Sequence, residues 1–268
     1  MIEAAHLDAA TALAILQWQV ELGADEALAD APVNRFEAPA AAERPVASTR
    51  PGAVAAETTP AGPAAAVNPV AEAEALAGAA TTLADLAEAM RGFDHCELKR
   101  SARNFVFADG NAAARVMVIG EAPGGEEDRL GLPFVGPAGQ LLDRMFAAIG
   151  LSRAAPDPGA ALYITNALPW RPTGNRTPTP EEIALFRPFV ARHVELADPD
   201  ILVLMGNVPC LSVLGRAGIL GMRGTWTEAL SRPVLPMTHP AYLLRNVSAK
   251  REAWADLLAL KARLEAAS

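Results

Sequence analysis

The feature that most constrains this chain is a set of four short apolar runs, each ending in a break and separated by helical spacing. Residues 115–119 read RVMVI and stop at Gly120; residues 162–165 stop at Asn166; residues 201–205 read ILVLM and stop at Gly206; residues 234–237 lead into His239-Pro240. Runs of four or five without polar alternation suit strands buried on both faces. Between them, residues 139–149 carry Leu141, Leu142, Met145 and Ile149 at helical spacing and close on Gly150. Thr179 caps a helix whose Pro180, Glu181 and Glu182 fit a first turn, running to about Ala197. Further helices are expected at residues 83–90, 208–214 and 250–266. Strands alternating with helices imply an α/β fold. The expectation is a three-layer α/β/α sandwich with a central, mainly parallel four-stranded sheet.

Ligands of such sheets bind beyond the carboxyl ends of the strands. The chain places its unusual residues there: GEAPGGEED (120–128) after the first run, Asn166 after the second, His239-Pro240 after the fourth. Three glycines and a proline in GEAPGGEED permit a tight turn with close backbone approach to a ligand; an acidic surface loop is the alternative. The segment fits neither G-x-G-x-x-G nor a G-K-[ST] phosphate loop. Phe134, within GLPFVG, is either a core side chain or a flat platform at the mouth of a site. Asn166 can match a base edge with its planar amide or cap a turn. His239 is one of only four histidines, in a loop where a structural role is equally open.

Composition divides the chain. Ala and Pro supply 26 of residues 31–80, and Phe36 is the only aromatic there, so this stretch reads as a flexible linker. The expected organisation is a helical segment at 1–30, the linker at 31–80 and one domain at 81–268. Within the first segment, residues 6–22 carry Leu7, Leu13, Leu16, Trp18 and Leu22, a short helix suited to docking on the main domain or a protein partner. Residues 1–90 hold 3 Lys/Arg against 13 Asp/Glu, and residues 91–268 hold 20 against 18. The overall charge of −8 therefore belongs to the N-terminal region and does not argue against a polyanionic partner for the rest. Two cysteines, Cys96 and Cys210, exclude a disulfide scaffold. The absence of a basic n-region and of any long apolar run points to a cytoplasmic protein with no membrane partner.

The segments GEAPGGEED, LPFVGPAGQLLDRM, YITN, RPTGNRTPTPEE and HPAYLLRN, in this order and spacing, resemble the bacterial family-four uracil-DNA glycosylases over about Cys96 to Leu264. The resemblance implies a monofunctional enzyme of base excision repair. It would flip uracil out of DNA and hydrolyse its glycosidic bond without a metal at the reacting bond, leaving an abasic site. It implies that Phe134 stacks on the base, Asn166 pairs with the O4 and N3 edge, and Glu127 crowds C5 against a thymine methyl. Glu121 and the backbone near Ala122 would hold the pocket and the attacking water, with His239 donating to O2 as charge develops. Arg171, Asn175 and Arg176 would touch the DNA backbone. Tyr242, Leu243 and Leu244 would enter the duplex as a wedge with Arg245 on a phosphate, unless these leucines instead start the core face of the last helix. The DNA would contain uracil, and a monomer is expected.

Two departures stand out. The four cysteine positions that hold an iron–sulfur cluster in the resembled family fall here on Phe93, Cys96, Trp170 and Phe186, so no cluster and no other cofactor is expected. Related covalent-trapping enzymes carry a basic insert and a Ser after the HP pair; HPAYLL has neither, which favours turnover. A catalytically silent DNA- or base-binding module of the same fold is the competing reading.

Overall fold

The computed structural model describes residues 68–266. The helix expected at residues 6–22 lies outside them.

The four apolar runs form the centre of one sheet: β2 (Val116–Gly120), β3 (Leu162–Asn166), β4 (Ile201–Met205) and β6 (Arg232–Met237). They pair in parallel in the order β3-β2-β4-β6. Two short strands complete it, β1 (Ala108–Gly110) against β3 and β5 (Thr227–Ala229) against β6, both antiparallel. The sheet thus has six strands rather than four. The extra two are three residues long and half-exposed, so they lack the apolar run that marked the others.

Strand side chains alternate between two cores. On one face Val116, Val118, Ile164, Val203, Met205, Leu235 and Met237 pack with Leu142 and Phe146 of α5 (Pro137–Ala147) and Leu257 and Leu260 of α10 (Lys250–Ala266). On the other, Met117, Ile119, Tyr163, Leu202, Leu204 and Val234 meet Val190 and Val194 of α6 (Pro180–Ala197) and Cys210 and Val213 of α7 (Asn207–Leu214). This is the expected three-layer sandwich. Helix α6 begins as read: Thr179 Oγ1 accepts from Glu182 N at 3.3 Å while the Glu182 carboxylate accepts from Thr179 N at 2.8 Å, a reciprocal cap.

The linker boundary at residue 80 is corrected. Pro69–Ala79 forms α1, capped by Asn68, whose Oδ1 accepts from Val70 N at 3.1 Å. Ala73 and Ala77 are buried against the outer side of α6, and the Ala80 carbonyl accepts from Arg192 Nε at 3.0 Å. Alanine-rich sequence is ambiguous: it lacks bulk for a core of its own, yet small side chains let a helix sit close on another. Helices α2 (Leu83–Gly92) and α3 (Leu98–Ser101) join α1 in a third cluster on that side. Two segments read as loops begin helices instead: α4 (Gly125–Leu130) and α9 (Pro240–Arg245), with α8 (Ile219–Met222) between α7 and β5. Among the described residues no helix is long and apolar enough to cross a membrane.

Candidate active site

A cleft of about 480 Å³ opens beyond the carboxyl ends of β2, β3 and β6. Glu121, Ala122, Glu127, Phe134, Asn166 and His239 all line it, so the strand-end candidates converge on one place. Asn175, Arg176, Tyr242 and Arg245 line it too.

Adjacent strands bring two of these together. Gly120 and Asn166 are register partners at the ends of β2 and β3. A Cβ at Gly120 would collide with both the Phe134 ring and the Asn166 amide, so glycine is what lets them meet there. Asn166 is 6% exposed, and its amide has no hydrogen-bond partner among the described residues. The amide lines the cleft, where one acceptor and two donors can meet the edge of a ligand.

Phe134 is held in a conformation that bulky residues avoid, with φ +52°. Its ring lies beside that of His239, centroids 5.4 Å apart and planes inclined by 27°. Helix α4 supplies the fastening on one side. Glu127 Oε1 accepts from Val135 N at 2.9 Å and Gly136 N at 2.8 Å, and Oε2 accepts from Gly124 N at 3.2 Å. Both carboxylate oxygens are therefore engaged with backbone, tying the β2 loop to the Phe134 loop. Sequence reasoning gave Glu127 a contact with the base alone; its fastening role needed the fold.

His239 is the N-cap of α9, where its Nδ1 accepts from Ala241 N at 3.2 Å. A ring nitrogen that accepts carries no proton, so the neutral ring holds its hydrogen on Nε2 and is a donor there. Burial, followed by the nearby Arg245 charge, lowers its pKa to about 4 against an opposing pull from Glu127. The ring is neutral at pH 7. Burial also raises the Glu121 carboxyl above its ordinary range.

The rim is less uniform than the sequence suggested. Leu243 is 1% exposed and packs with Leu141 and Ala253, so it is core and cannot enter a duplex as a wedge; the helical turn of α9 points it inward. Leu244 is 41% exposed and remains available. Arg171 does not line the cleft; its Nε donates to Asn175 Oδ1 at 2.8 Å and its Nη1 lies 3.9 Å from Asp128. Arg176 makes a two-pronged pair with Glu182, at 2.6 and 2.9 Å. Arg245 lines the mouth and makes no ion pair with an acidic side chain among the described residues.

One residue escaped the sequence reading altogether. Arg153 donates to the carbonyls of Pro133 and Phe134, both at 2.9 Å, and pairs with Asp109 and Asp143. No local pattern flags it, because its partners sit in three separate segments.

Residues 107–258 match the sequence model of the uracil DNA glycosylase superfamily. The chain is 38% identical over 156 residues to the type-4 uracil-DNA glycosylase of Thermotoga maritima, spanning 57% of this chain and 78% of that one. Identity to the type-4 enzyme of Archaeoglobus fulgidus is 40% over 126 residues, 47% of this chain and 60% of the other. For that of Pyrobaculum aerophilum it is 33% over 184 residues, 65% and 91%.

Proposed function

The chain belongs to the uracil DNA glycosylase superfamily, and on that premise we propose that it excises uracil from DNA, leaving an abasic site. The observation that carries the proposal is the convergence of the Asn166 amide, the Phe134 ring and a neutral His239 on the lining of one cleft. A base flipped into the cleft lies against Phe134, with its O4 and N3–H edge on the Asn166 amide. Cytosine presents the opposite donor–acceptor polarity and leaves two buried groups unmatched, which is expensive. His239 Nε2–H donates to O2. As the C1′–N1 bond breaks, N1 leaves with the electron pair and the charge spreads to O2, where a donor already in place costs no reorganisation. The water oxygen bonds to the oxocarbenium-like C1′, and its proton passes to Glu121, whose raised pKa suits a base at the reaction centre.

The mouth of the cleft takes the DNA strand. Arg245, Tyr242, Leu244 and Asn175 meet the duplex directly, while Arg176 must share its guanidinium with Glu182. Arg171 acts from behind, steadying Asn175. The proposal carries with it a cytoplasmic, monomeric enzyme whose residues 1–30 hold a repair or replication partner.

The iron–sulfur cluster of the resembled family does not fit these residues. Phe93, Cys96, Trp170 and Phe186 fall in one apolar cluster, with Phe93 packed on Phe186 at 5.9 Å and on Phe189 at 5.4 Å between ring centroids. Trp170 meets Phe105 at 5.1 Å. Burial raises the Cys96 thiol, so the lone sulfur stays protonated. Among the described residues no group of three or more His, Cys, Asp or Glu could hold a metal. An aromatic plug takes the role of a staple between α2, α6 and the loop after β3.

The test is an oligonucleotide carrying one deoxyuridine, incubated with excess enzyme and scored for alkali-labile product. Cleavage is expected, and Asn166→Asp should slow it by about 10-fold to 100-fold. Absence of product from the wild type overturns the enzymatic reading in favour of a silent binding module. The same preparation should carry no iron and no broad visible absorbance.

A further inference from the structure

The loop that presents Phe134 is governed from outside the cleft. Two peptide carbonyls flank the Phe134 Cα, that of Pro133 before it and its own after it. Their orientations define its φ and ψ, and hence the direction of the ring. Both accept from the same guanidinium: Arg153 Nη1 to Pro133 O and Nη2 to Phe134 O, each 2.9 Å. The guanidinium is itself anchored, Nη1 to Asp109 Oδ2 and Nε to Asp143 Oδ1, again 2.9 Å. Its side chain is only 15% exposed. A planar fork with fixed donors can hold two carbonyls at set angles; a flexible ammonium cannot.

Phe134 is also packed in the core, at 5% exposed and beside His239, and the other hydrogen bonds to its loop act elsewhere. Glu127 takes the amides of Val135 and Gly136, which follow Phe134 but leave the Pro133–Phe134 peptide free to rotate. Gly139 supplies space, since a Cβ there would collide with the Phe134 backbone. The left-handed backbone at Phe134 persists only where its surroundings over-determine it. Without the fork, both carbonyls that flank Phe134 lose the donors that fix their peptide planes.

We propose that Arg153 is a positioning residue for base recognition, setting the plane of Phe134 by clamping the two carbonyls that flank it. This rests on the reading of Phe134 as the platform for the base. Single-turnover excision at saturating enzyme, compared across wild type, Arg153→Met, Phe134→Ala and the double variant, tests it. Arg153→Met should slow excision by about 100-fold, the usual cost of a misplaced contact of about 1 Å, with affinity for uracil-free duplex unchanged. In the Phe134→Ala background the same change should cost less than about twofold, because the two act as one unit. Arg153→Lys should restore only part of the rate and stands in if the methionine variant fails to fold. Hydrogen exchange at the Val135 and Gly136 amides should quicken in Arg153→Met, independent of activity. Full additivity of the two losses, or a wild-type rate in Arg153→Met beside a slow Phe134→Ala, overturns the clamp alone. A wild-type rate in Phe134→Ala removes the platform and the proposal with it.

Discussion

Two buried histidines contribute to how the stability of this protein answers acid. His239 titrates at about 4 and His193 at about 3, both lowered from 6.5 chiefly by burial. His193 Nε2 lies 2.8 Å from Tyr163 Oη, and its ring stacks on Phe107. In the unfolded chain both take up protons below 6.5, while in the folded protein they stay neutral until about 4 and 3. The unfolded state therefore binds more protons in this window, so stability rises with pH there and is lost as pH falls. At ~1.4 kcal/mol per pKa unit, each accounts for a few kcal/mol. His239→Gln should show a visibly shallower fall in thermal midpoint between pH 6.5 and pH 4, measured by circular dichroism. An unchanged slope would mean that His239 is not buried neutral. Of the site, Glu121, Asn166 and His239 were legible because each follows an apolar run, and strand ends are where such sheets bind. Arg153 was not, because its meaning lies in two carbonyls and two carboxylates brought together only by folding.

At the scale of elements, the four central strands and α5, α6, α7 and α10 follow from apolar runs, caps and helical spacing. What the pattern missed were short pieces fixed by their neighbours: β1, β5, α4 and α9 are too brief to show a period. Helix α9 carries the clearest consequence. A helix of six residues sends Leu243 into the core and leaves Leu244 facing out, so two adjacent leucines have opposite duties. Leu243→Ala should cost about 2–5 kcal/mol of stability, the usual range for a buried leucine. Leu244→Ala should leave chemical denaturation within about 0.5 kcal/mol of wild type and weaken binding to duplex DNA. Equal stability losses in the two variants would refute that division.

For the whole molecule, the useful boundary falls before Asn68 rather than at residue 80. Helix α1 is part of the fold: Ala73 and Ala77 are buried, and Arg192 of α6 binds the carbonyl of Ala80 at its end. Deleting residues 1–67 should leave uracil excision by the remaining domain unchanged. Extending the deletion through residue 80 should lower the melting temperature by several degrees, as α6 loses its outer cover. Equal melting temperatures for the two truncations would contradict the role given to α1.

The order of strands in the sheet also has a consequence in time. Strand β2 is bracketed by β3 and β4, and β6 joins only through β4. A chain emerging from the ribosome presents Phe134 and Asn166 well before His239, and the β4–β6 pairing cannot form until that last central strand arrives. Such distant pairings form slowly. A half-synthesised chain therefore carries Phe134 and Asn166 without His239, so on the proposed reading it lacks the donor to O2.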